Sequence, residues 1–310
     1  MMIDLFYVIF LAVFIIQMGL FGYVFQRINL AYTPDLKHNL PPVTVIICAQ
    51  NEAQNLESNL PQVLQQEYPK FEVLVVNDQS MDTTQSVLDE MKDKYHNLKT
   101  IKSKKPEHLK GKKFALRKGI KHAKYDHILL SDADCIPATR FWIRSMLEVY
   151  DSSTSIVLGC SPYTKEKGLV NRFARFETLY TALIYGSSAL IGLPYMGVGR
   201  NLSYNRSKLN WDILNDSSTI SGDDDLMVNA HATETNTKVQ FDPEAMTFSK
   251  APNDWSGFFR QKLRHVSTGK KYRFKHIAWL NLINGSQGLF YVLFFWVFIG
   301  FPYLLYWPIF

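Results

Sequence analysis

Two uncharged and mostly apolar runs lie at the ends of the chain: residues 5–25 (LFYVIFLAVFIIQMGLFGYVF) and 288–310 (GLFYVLFFWVFIGFPYLLYWPIF). As a helix rising about 1.5 Å per residue, each is long enough to cross the hydrocarbon core of a bilayer. The first has no basic leader, no small-residue cleavage site and too great a length for a signal peptide, so it predicts a retained anchor over 5–25. The second predicts a span over 288–310, with aromatic residues suited to the membrane interface.

Between these runs the pattern changes to short apolar segments alternating with amphipathic ones. After a linker over 29–42 that contains three prolines, VTVIICAQNE reads as a strand and polar turn, followed by a helical stretch through Gln66. FEVLVVNDQS is a second strand and turn, and MDTTQSVLDEMKDKY a helix capped at Ser80 or Asp82. A third strand over 98–102 leads to a basic loop and a helix over 112–123; DHILLSDAD, FWIRSMLEVY and SIVLGC then read as strand, helix and strand. Continuously apolar strands alternating with helices predict an α/β fold, a mostly parallel sheet covered on both faces. Beyond Gly168 the texture becomes aromatic and aliphatic with few charges. Residues 173–196 there predict an interfacial helix or the wall of an acceptor site, with an ordinary core helix as the alternative.

A length of 310 residues, 47% hydrophobic, allows one large core or two modest ones. The net charge of +6 raises a nucleic-acid partner, but no aromatic-basic motif for RNA or DNA is present. The basic residues instead crowd beside the apolar runs, from Arg27 to RQKLRHVSTGKKYRFKH, which suits anionic lipid headgroups. Only Asp4 is charged before the first run, so the positive-inside rule places both ends outside and the central domain in the cytosol. The expected location is therefore the cell (inner) membrane. Cys48, Cys135 and Cys160 have no metal-ligand spacing and read as free, buried thiols of a reducing compartment.

The chemistry concentrates at strand ends. Ser131-Asp132-Ala133-Asp134 follows the apolar run 128–130, so two carboxylates one residue apart close a buried strand, where α/β sheets bind ligands. Residues i and i+2 of an extended segment point to the same side, so both acids can meet one hard cation and, through it, a diphosphate. A lone Asp-x-Asp is ordinarily a solvated turn; its position here favours the site. Asn77-Asp78-Gln79-Ser80 closes the second strand, and a first-strand turn around Ala49, Asn51 and Glu52 would complete a nucleoside pocket, although each alone is common turn chemistry. Lys112 and Lys113 would neutralise a diphosphate, or simply be solvated. Asp223-Asp224-Asp225 gathers three acids that repel one another unless a cation, a bonding network or a function holds them. Gln261, Arg264 and His265 fall at i, i+3 and i+4 and share one helix face.

VTVIICAQNE, VVNDQSMDTT, LLSDADC, GVGRNLSYNR, GDDDL and QKLRH occur in this order over about residues 40–270. Together they resemble the membrane-embedded family 2 glycosyltransferases, the inverting class with a GT-A, Rossmann-like fold that includes synthases of cellulose, chitin, hyaluronan and poly-N-acetylglucosamine. The resemblance implies a transmembrane helix over 5–25, a cytosolic GT-A domain over 40–250, a basic juxtamembrane region over 251–277 and a second transmembrane helix over 288–310. It implies a nucleoside pocket lined by Ala49, Glu52 and Asp78, with Lys112 or Lys113 at the phosphates. Asp132 and Asp134 match the family's Asp-x-Asp, which by resemblance makes both ligands of Mg²⁺ or Mn²⁺, with Asp134 the more direct and Asp132 also at the nucleotide. Aligning the family's terminal Asp-Leu on Asp225-Leu226 makes Asp223 the general base, with Asp224 as the fallback, and leaves Gly222 where Glu is usual. Gly199, Arg200 and Asn201 resemble the loop that shapes the acceptor side, joined there by Gln261, Arg264 and His265.

The implied reaction moves a sugar from a nucleotide donor, a UDP-sugar by resemblance, to a lipid, lipid-linked or polysaccharide hydroxyl. Two departures bear on processivity. The family's Gln-x-x-Arg-Trp reads Gln261-Lys262-Leu263-Arg264-His265 here, without the stacking platform of a Trp, and one C-terminal span stands where polymer-extruding relatives have several. The alternatives are a non-catalytic membrane scaffold that keeps the GT-A shell, which gives no reason to retain costly acids, and a nucleotidyltransferase, which does not predict GDDDL followed by a basic helix.

Overall fold

A computed structural model describes residues 2–30, 40–103, 112–215 and 223–300. Helix α1 (Met2–Gly19) continues through a π-helical turn (Leu20–Val24) and a 3₁₀ turn (Phe25–Leu30). There follow β1 (Val43–Ala49), α2 (Ala53–Leu64), β2 (Phe71–Asp78), α3 (Thr84–Lys94), β3 (Leu98–Ser103), α4 (Lys113–His122) and β4 (His127–Asp132). The next elements are β5 (Ile136–Pro137), α5 (Trp142–Leu147), β6 (Ile156–Gly159), α6 (Leu169–Leu190) and β7 (Leu202–Asn205). The last are α7 (Asp223–His231), β8 (Thr237–Gln240), β9 (Thr247–Phe248), α8 (Trp255–Gly269) and α9 (Phe274–Gly300).

Among the described residues, seven strands form one sheet in the order β3-β2-β1-β4-β7-β6-β8, and β5 pairs with β9. Strands β1, β2, β3 and β4 run parallel, as the apolar runs predict, whereas β7 is antiparallel to both neighbours. The chain goes outward from β1 to β2 and β3, then returns to place β4 on the other side of β1. That reversal is a topological switch point, where an open α/β sheet offers a crevice at its carboxyl edge. Register levels the edge: Ala49 lies opposite Asn77, and Cys48 opposite Asp132.

Strand alternation explains why both faces are apolar. Val43, Val45 and Ile47 pack with Leu56, Leu60, Leu88, Trp142 and Ile143 of α2, α3 and α5. Ile46, Val76, Ile128 and Leu130 face Leu116 and Ile120 of α4 and Tyr185 of α6, and the same cluster takes in Leu20, Val24 and Phe25 after α1. The turn after α1 is thus part of the domain core. Phe25 meets Tyr180 edge-on at 6.3 Å, and a Cβ on Gly186 would lie 2.7 Å from Ile28 Cδ1, so glycine permits that approach. Helices α1 and α9 are joined by Gln17 Nε2 donating to Ser286 Oγ at 2.7 Å and by stacking of Phe10 on Phe290.

Several predicted boundaries change. Among the described residues one helix is long and apolar enough to cross a membrane, over Phe6–Ile28. The predicted span 288–310 is the second part of a helix that starts at Phe274, because Gly285, Ser286 and Gln287 do not interrupt it, and residues 301–310 lie outside the described residues. The basic region over 251–277 is divided: α8 ends at Gly269 and α9 begins at Phe274.

Glycine is required where α4 crosses the sheet. A Cβ on Gly119 would sit 2.8 Å from Ile46 Cγ2 and 3.1 Å from Val76 Cγ2, both stiff β-branched side chains. Gly119→Val would gain roughly 0.5 kcal/mol of helix propensity but lose about 1–3 kcal/mol to overpacking. Thermal unfolding should therefore show a lower Tm, and an unchanged or higher Tm would mean that α4 shifts freely.

Candidate active site

The acidic turns after β1 and β2 brace each other. Asn51 and Gln79 adopt positive φ angles of 57° and 58°; asparagine at the first of these is among the residues that tolerate the left-handed region. The Asn51 N–H donates to Ser80 Oγ at 2.9 Å, Met81 N–H to Asn51 Oδ1 at 2.8 Å, and Glu52 N–H to Thr84 Oγ1 at 2.9 Å. Asp82 accepts from the Ala53 N–H and, at the start of α3, from the Thr84 N–H. The residues that read as turn chemistry therefore hold two strand ends level, so that Glu52 projects beside the β4 acids.

A cavity of about 480 Å³ opens at this edge, between the ends of β1 and β4. Glu52, Asp132 and Asp134 line it from the strand ends, Lys112 from the start of α4, and Gly199 and Arg200 from the loop before β7. Asp224 and Asp225 close it from α7, and Gln261, Arg264 and His265 from α8. Residues from Glu52 to His265 thus face one space, most of them named by the motifs.

The charges are unevenly balanced. Lys112 Nζ lies 3.0 Å from Asp132 Oδ1. Burial opposes ionisation of Asp132, but Lys112, Arg200 and Arg264 outweigh it and hold the carboxyl below its ordinary range. Asp134 shifts upward, through burial and then the Asp132 charge, against the opposing effect of Arg200. Glu52 also shifts upward through burial, with Asp134, Asp132 and Asp82 adding to it. Arg200 is held by donating to Ser249 Oγ at 2.5 Å, with its guanidinium 4.9 Å from the Tyr163 ring centre. Although expected on the acceptor side, its charge acts on Asp132 and Asp134.

Opposite the strand ends, Asp224 Oδ2 accepts from the Gly199 N–H at 2.6 Å, and its Oδ1 from the Asp225 N–H at 3.1 Å. A Cβ on Gly199 would lie 2.9 Å from Asp224 Oδ2, so a larger residue would displace the Asp224 carboxylate from this bond. Asp223 is the first residue of α7, and its side chain lies outside the described residues. Gln261, Arg264 and His265 share the cavity-facing side of α8, as their spacing predicts, and Gln261 Oε1 accepts from the Tyr163 hydroxyl at 3.1 Å. Desolvation at the cavity wall lowers the His265 pKa, Asp224 opposes this, and Lys262, Arg264 and Arg200 reinforce it.

Four sequence candidates stand elsewhere. Ala49 is packed in the core beneath the sheet edge, Asp78 is buried at the end of β2, and Lys113 is buried in the first turn of α4. Asn201 is fully buried behind the cavity, where its Oδ1 accepts from Trp142 Nε1 at 3.0 Å. Its Nδ2 donates to the carbonyls of Cys160 and Ala245 at 2.8 and 2.7 Å. Cys48, Gln50 and Thr268 line the cavity and were not candidates, and Met196, the last residue of the segment over 173–196, lines it too. Thr268 continues the helical series 261, 264, 265, and that periodicity was signal enough to find it.

Among the described residues, no group of three or more His, Cys, Asp or Glu side chains is arranged to hold an ion alone. Asp132 and Asp134 offer two hard oxygen donors to one cavity, and the burial of Asp134, together with the Asp132 charge beside it, is what a cation there would offset. This suits Mg²⁺ or Mn²⁺ shared with substrate phosphate oxygens, a usual arrangement for hard ions.

The sequence profile described as Glycosyl transferase family 2 matches residues 44–210. The protein "Probable glycosyltransferase YdaM" of Bacillus subtilis (strain 168) is 26% identical over 280 residues, which covers 86% of this chain and 64% of that protein. The poly-beta-1,6-N-acetyl-D-glucosamine synthase of Staphylococcus aureus (strain COL) is 26% identical over 279 residues, again 86% of this chain and 64% of the relative. The chain thus spans somewhat less than two thirds of the length of these relatives. Among solved structures, the mannosyltransferase PcManGT from Pyrobaculum calidifontis, in complex with GDP-Man and Mn²⁺, aligns with a TM-score of 0.58 at 18% identity. It covers 83% of this chain and 72% of the other, a likeness of fold.

Asn201 offers a direct test of what braces the cavity. Asn201→Ala leaves an indole N–H and two carbonyls without their partner, which should cost about 3 kcal/mol of stability. Chemical denaturation should show that loss, while ligand affinity of the protein that remains folded stays within about threefold of wild type. Undiminished stability with lost affinity would place Asn201 at the ligand instead.

Proposed function

The chain belongs to glycosyltransferase family 2, and from that premise we propose that it transfers a sugar, with inversion, from a nucleoside-diphosphate donor to a hydroxyl acceptor at a membrane surface. The observation that carries this reading is the cavity at the β1–β4 switch point, where Asp132, Asp134, Lys112 and Arg264 face Asp224 and Asp225 across one space. Acids that suit a cation-bound diphosphate stand on one side of it, and acids that suit proton abstraction stand on the other. UDP is the first choice of donor nucleotide.

In the proposed reaction Asp223, at the start of α7, takes the proton of the acceptor hydroxyl. The oxygen attacks the anomeric carbon in line, its bond to that carbon forms as the bond to the diphosphate breaks, and the nucleoside diphosphate leaves. One displacement inverts the centre, so an α-linked donor gives a β-linked product. Negative charge grows on the departing diphosphate, where Lys112, Arg200 and Arg264 stabilise the transition state more than the ground state. Mg²⁺ or Mn²⁺ held by Asp134 and Asp132 would supply further neutralisation of that leaving charge.

A lipid, lipid-linked or polysaccharide acceptor is supported by the surroundings of the site. The apolar helix over Phe6–Ile28 continues into the domain core. Leu169, Phe173 and Phe176 of α6, and Phe259, Leu263 and Val266 of α8, are exposed apolar side chains at helical spacing. Lys270, Lys271, Arg273 and Lys275 follow α8 directly. An apolar face beside a basic corner fits the headgroup region of an anionic, cytosolic leaflet, which supports an integral membrane protein with its catalytic domain in the cytosol.

Calorimetric titration of detergent-purified protein with UDP, GDP and CMP, each with Mn²⁺ and with EDTA, tests the donor site. One nucleotide should bind only with the ion, and Asp134→Asn should abolish that binding; folded protein that binds none of them would instead favour a non-catalytic scaffold.

Asp223→Asn should lower turnover by at least ~100-fold with nucleotide affinity nearly intact, the scale expected for loss of a general base. Near-normal turnover in this variant, together with a large loss in Asp224→Asn, would move the role to Asp224.

A further inference from the structure

One helical turn beyond Asp225, Asn229 is buried with its carboxamide fully engaged. Its Oδ1 accepts from the Arg273 N–H at 3.0 Å, while Nδ2 donates to the Tyr195 carbonyl at 3.1 Å and contacts His276 Nδ1 at 2.8 Å. Because a backbone N–H occupies Oδ1, the orientation of the amide is set by its partners, and Nδ2–H requires a lone pair on His276 Nδ1. The imidazole is therefore neutral, with its proton on Nε2. Burial first, then the Lys275 and Arg273 charges, push the His276 pKa down to about 4, the direction that this state requires.

His276 is completely buried, and its Nε2 has no hydrogen-bond partner among the described residues. A buried ring with one unsatisfied N–H is kept only where its other contacts hold it. Further ties run in parallel: the Arg273 guanidinium donates to the Ala230 carbonyl, and the Tyr272 phenol to the Asp225 carboxylate. The Tyr195 ring lies 6.0 Å from that of Tyr272 and 6.4 Å from His276. All these bonds from α7 end on the corner between α8 and α9 or on Tyr195 beside it. At its other end α7 is held by Asp224 on the Gly199 N–H.

We propose that Asn229 and His276 are positioning residues: their hydrogen bond hangs the helix that carries Asp223, Asp224 and Asp225 on the first turn of α9, and so sets where those acids stand over the cavity. The proposal rests on the glycosyltransferase reading of that cavity. It also goes beyond it, since neither residue lines the cavity, and it makes the placement of α9 a determinant of turnover. With α7 pinned at both ends, its nine residues cannot swing toward or away from the strand-end acids without breaking a buried bond.

The test compares His276→Asn with His276→Leu in the full chain. Asparagine presents Oδ1 near the position of the imidazole Nδ1 and keeps an acceptor for Asn229, whereas leucine fills the space without one. His276→Leu should lose about 10-fold or more in kcat for sugar transfer, with donor KM and nucleotide affinity within about twofold, as expected for a misplaced rather than missing group. Its α7 amides over 223–231 should exchange hydrogen at least about 10-fold faster, and His276→Asn should stay near wild type in every measure. Equal kcat in the two variants, or unchanged α7 exchange in His276→Leu, overturns the proposal. Where His276→Leu does not fold, Asn229→Ala breaks the same bond from the other side and is read by the same criteria. Wild-type protein that binds no nucleotide would refute the glycosyltransferase reading, and the exchange comparison would still decide the clasp; slow α7 exchange in a working transferase variant would refute the clasp alone.

Discussion

Carboxylates gathered into one cavity repel one another, and much of this fold is arranged so that cations face them. Glu52, Asp132, Asp134, Asp224 and Asp225 all border the same space. Lys112, Arg200 and Arg264 come to them from three separate elements, and each is set there by packing elsewhere. Lys112 depends on α4 lying close against the sheet, which the glycine at 119 permits. Arg200 depends on Tyr163 and Ser249, which are themselves bridged backbone to backbone. Arg264 depends on α8, whose neighbouring Lys262 pairs with Glu177 of α6. Removing any one support would leave acids in a partly desolvated cavity with less compensation, which is far more costly than losing a pair of exposed charges.

The first half of the fold was legible because its signals are local. Strands β1, β2 and β4 are continuously apolar, their turns are polar, and parallel pairing buried on both faces demands that composition. The Asp-x-Asp at the end of β4 and the Gln261, Arg264, His265 face of α8 were readable for the same reason, since each depends on strand or helix periodicity alone. The second half was not. Strands β7, β8 and β9 have 4, 4 and 2 residues, too short for a periodic signal, and β7 enters antiparallel between β4 and β6 through long-range pairing. Helix α7 was hidden because three consecutive acids carry no helical periodicity; its place is secured by Gly199, Tyr195 and the α8–α9 corner, none of them near it in sequence.

Polar residues were the hardest to assign, because the sequence does not say whether a side chain faces ligand or spans a gap in the protein. Asn201, in a glycine-flanked loop beside Arg200, looked like a site residue. It instead joins β6, α5 and the turn before β9 by hydrogen bonds to Cys160, Trp142 and Ala245. Ser80, Asp82 and Thr84 likewise tie the first two strand-end turns together. None of these residues lines the cavity; they brace the strand ends and loops around it, and a buried asparagine with its hydrogen bonds satisfied fixes the loop that carries it.

Asp132 and Asp134 illustrate how two acids of one motif acquire different characters. They are separated by one residue and open on the same cavity, yet Lys112 pairs with Asp132 and not with Asp134. Although burial opposes it, Lys112 with Arg200 and Arg264 shifts Asp132 toward its charged form, and that charge adds to the burial that drives Asp134 upward. The acid with a resident cation gains little from a second one, because its charge is already compensated. The Arg200 charge eases Asp134 only in part, so a cation beside it would offset more of its burial and of the repulsion from its neighbour. The ammonium group of Lys112 thus makes the two carboxylates electrostatically unequal, a division that two identical residues at i and i+2 do not possess by themselves and that, under the proposed function, would leave Asp134 the better ligand for a divalent ion.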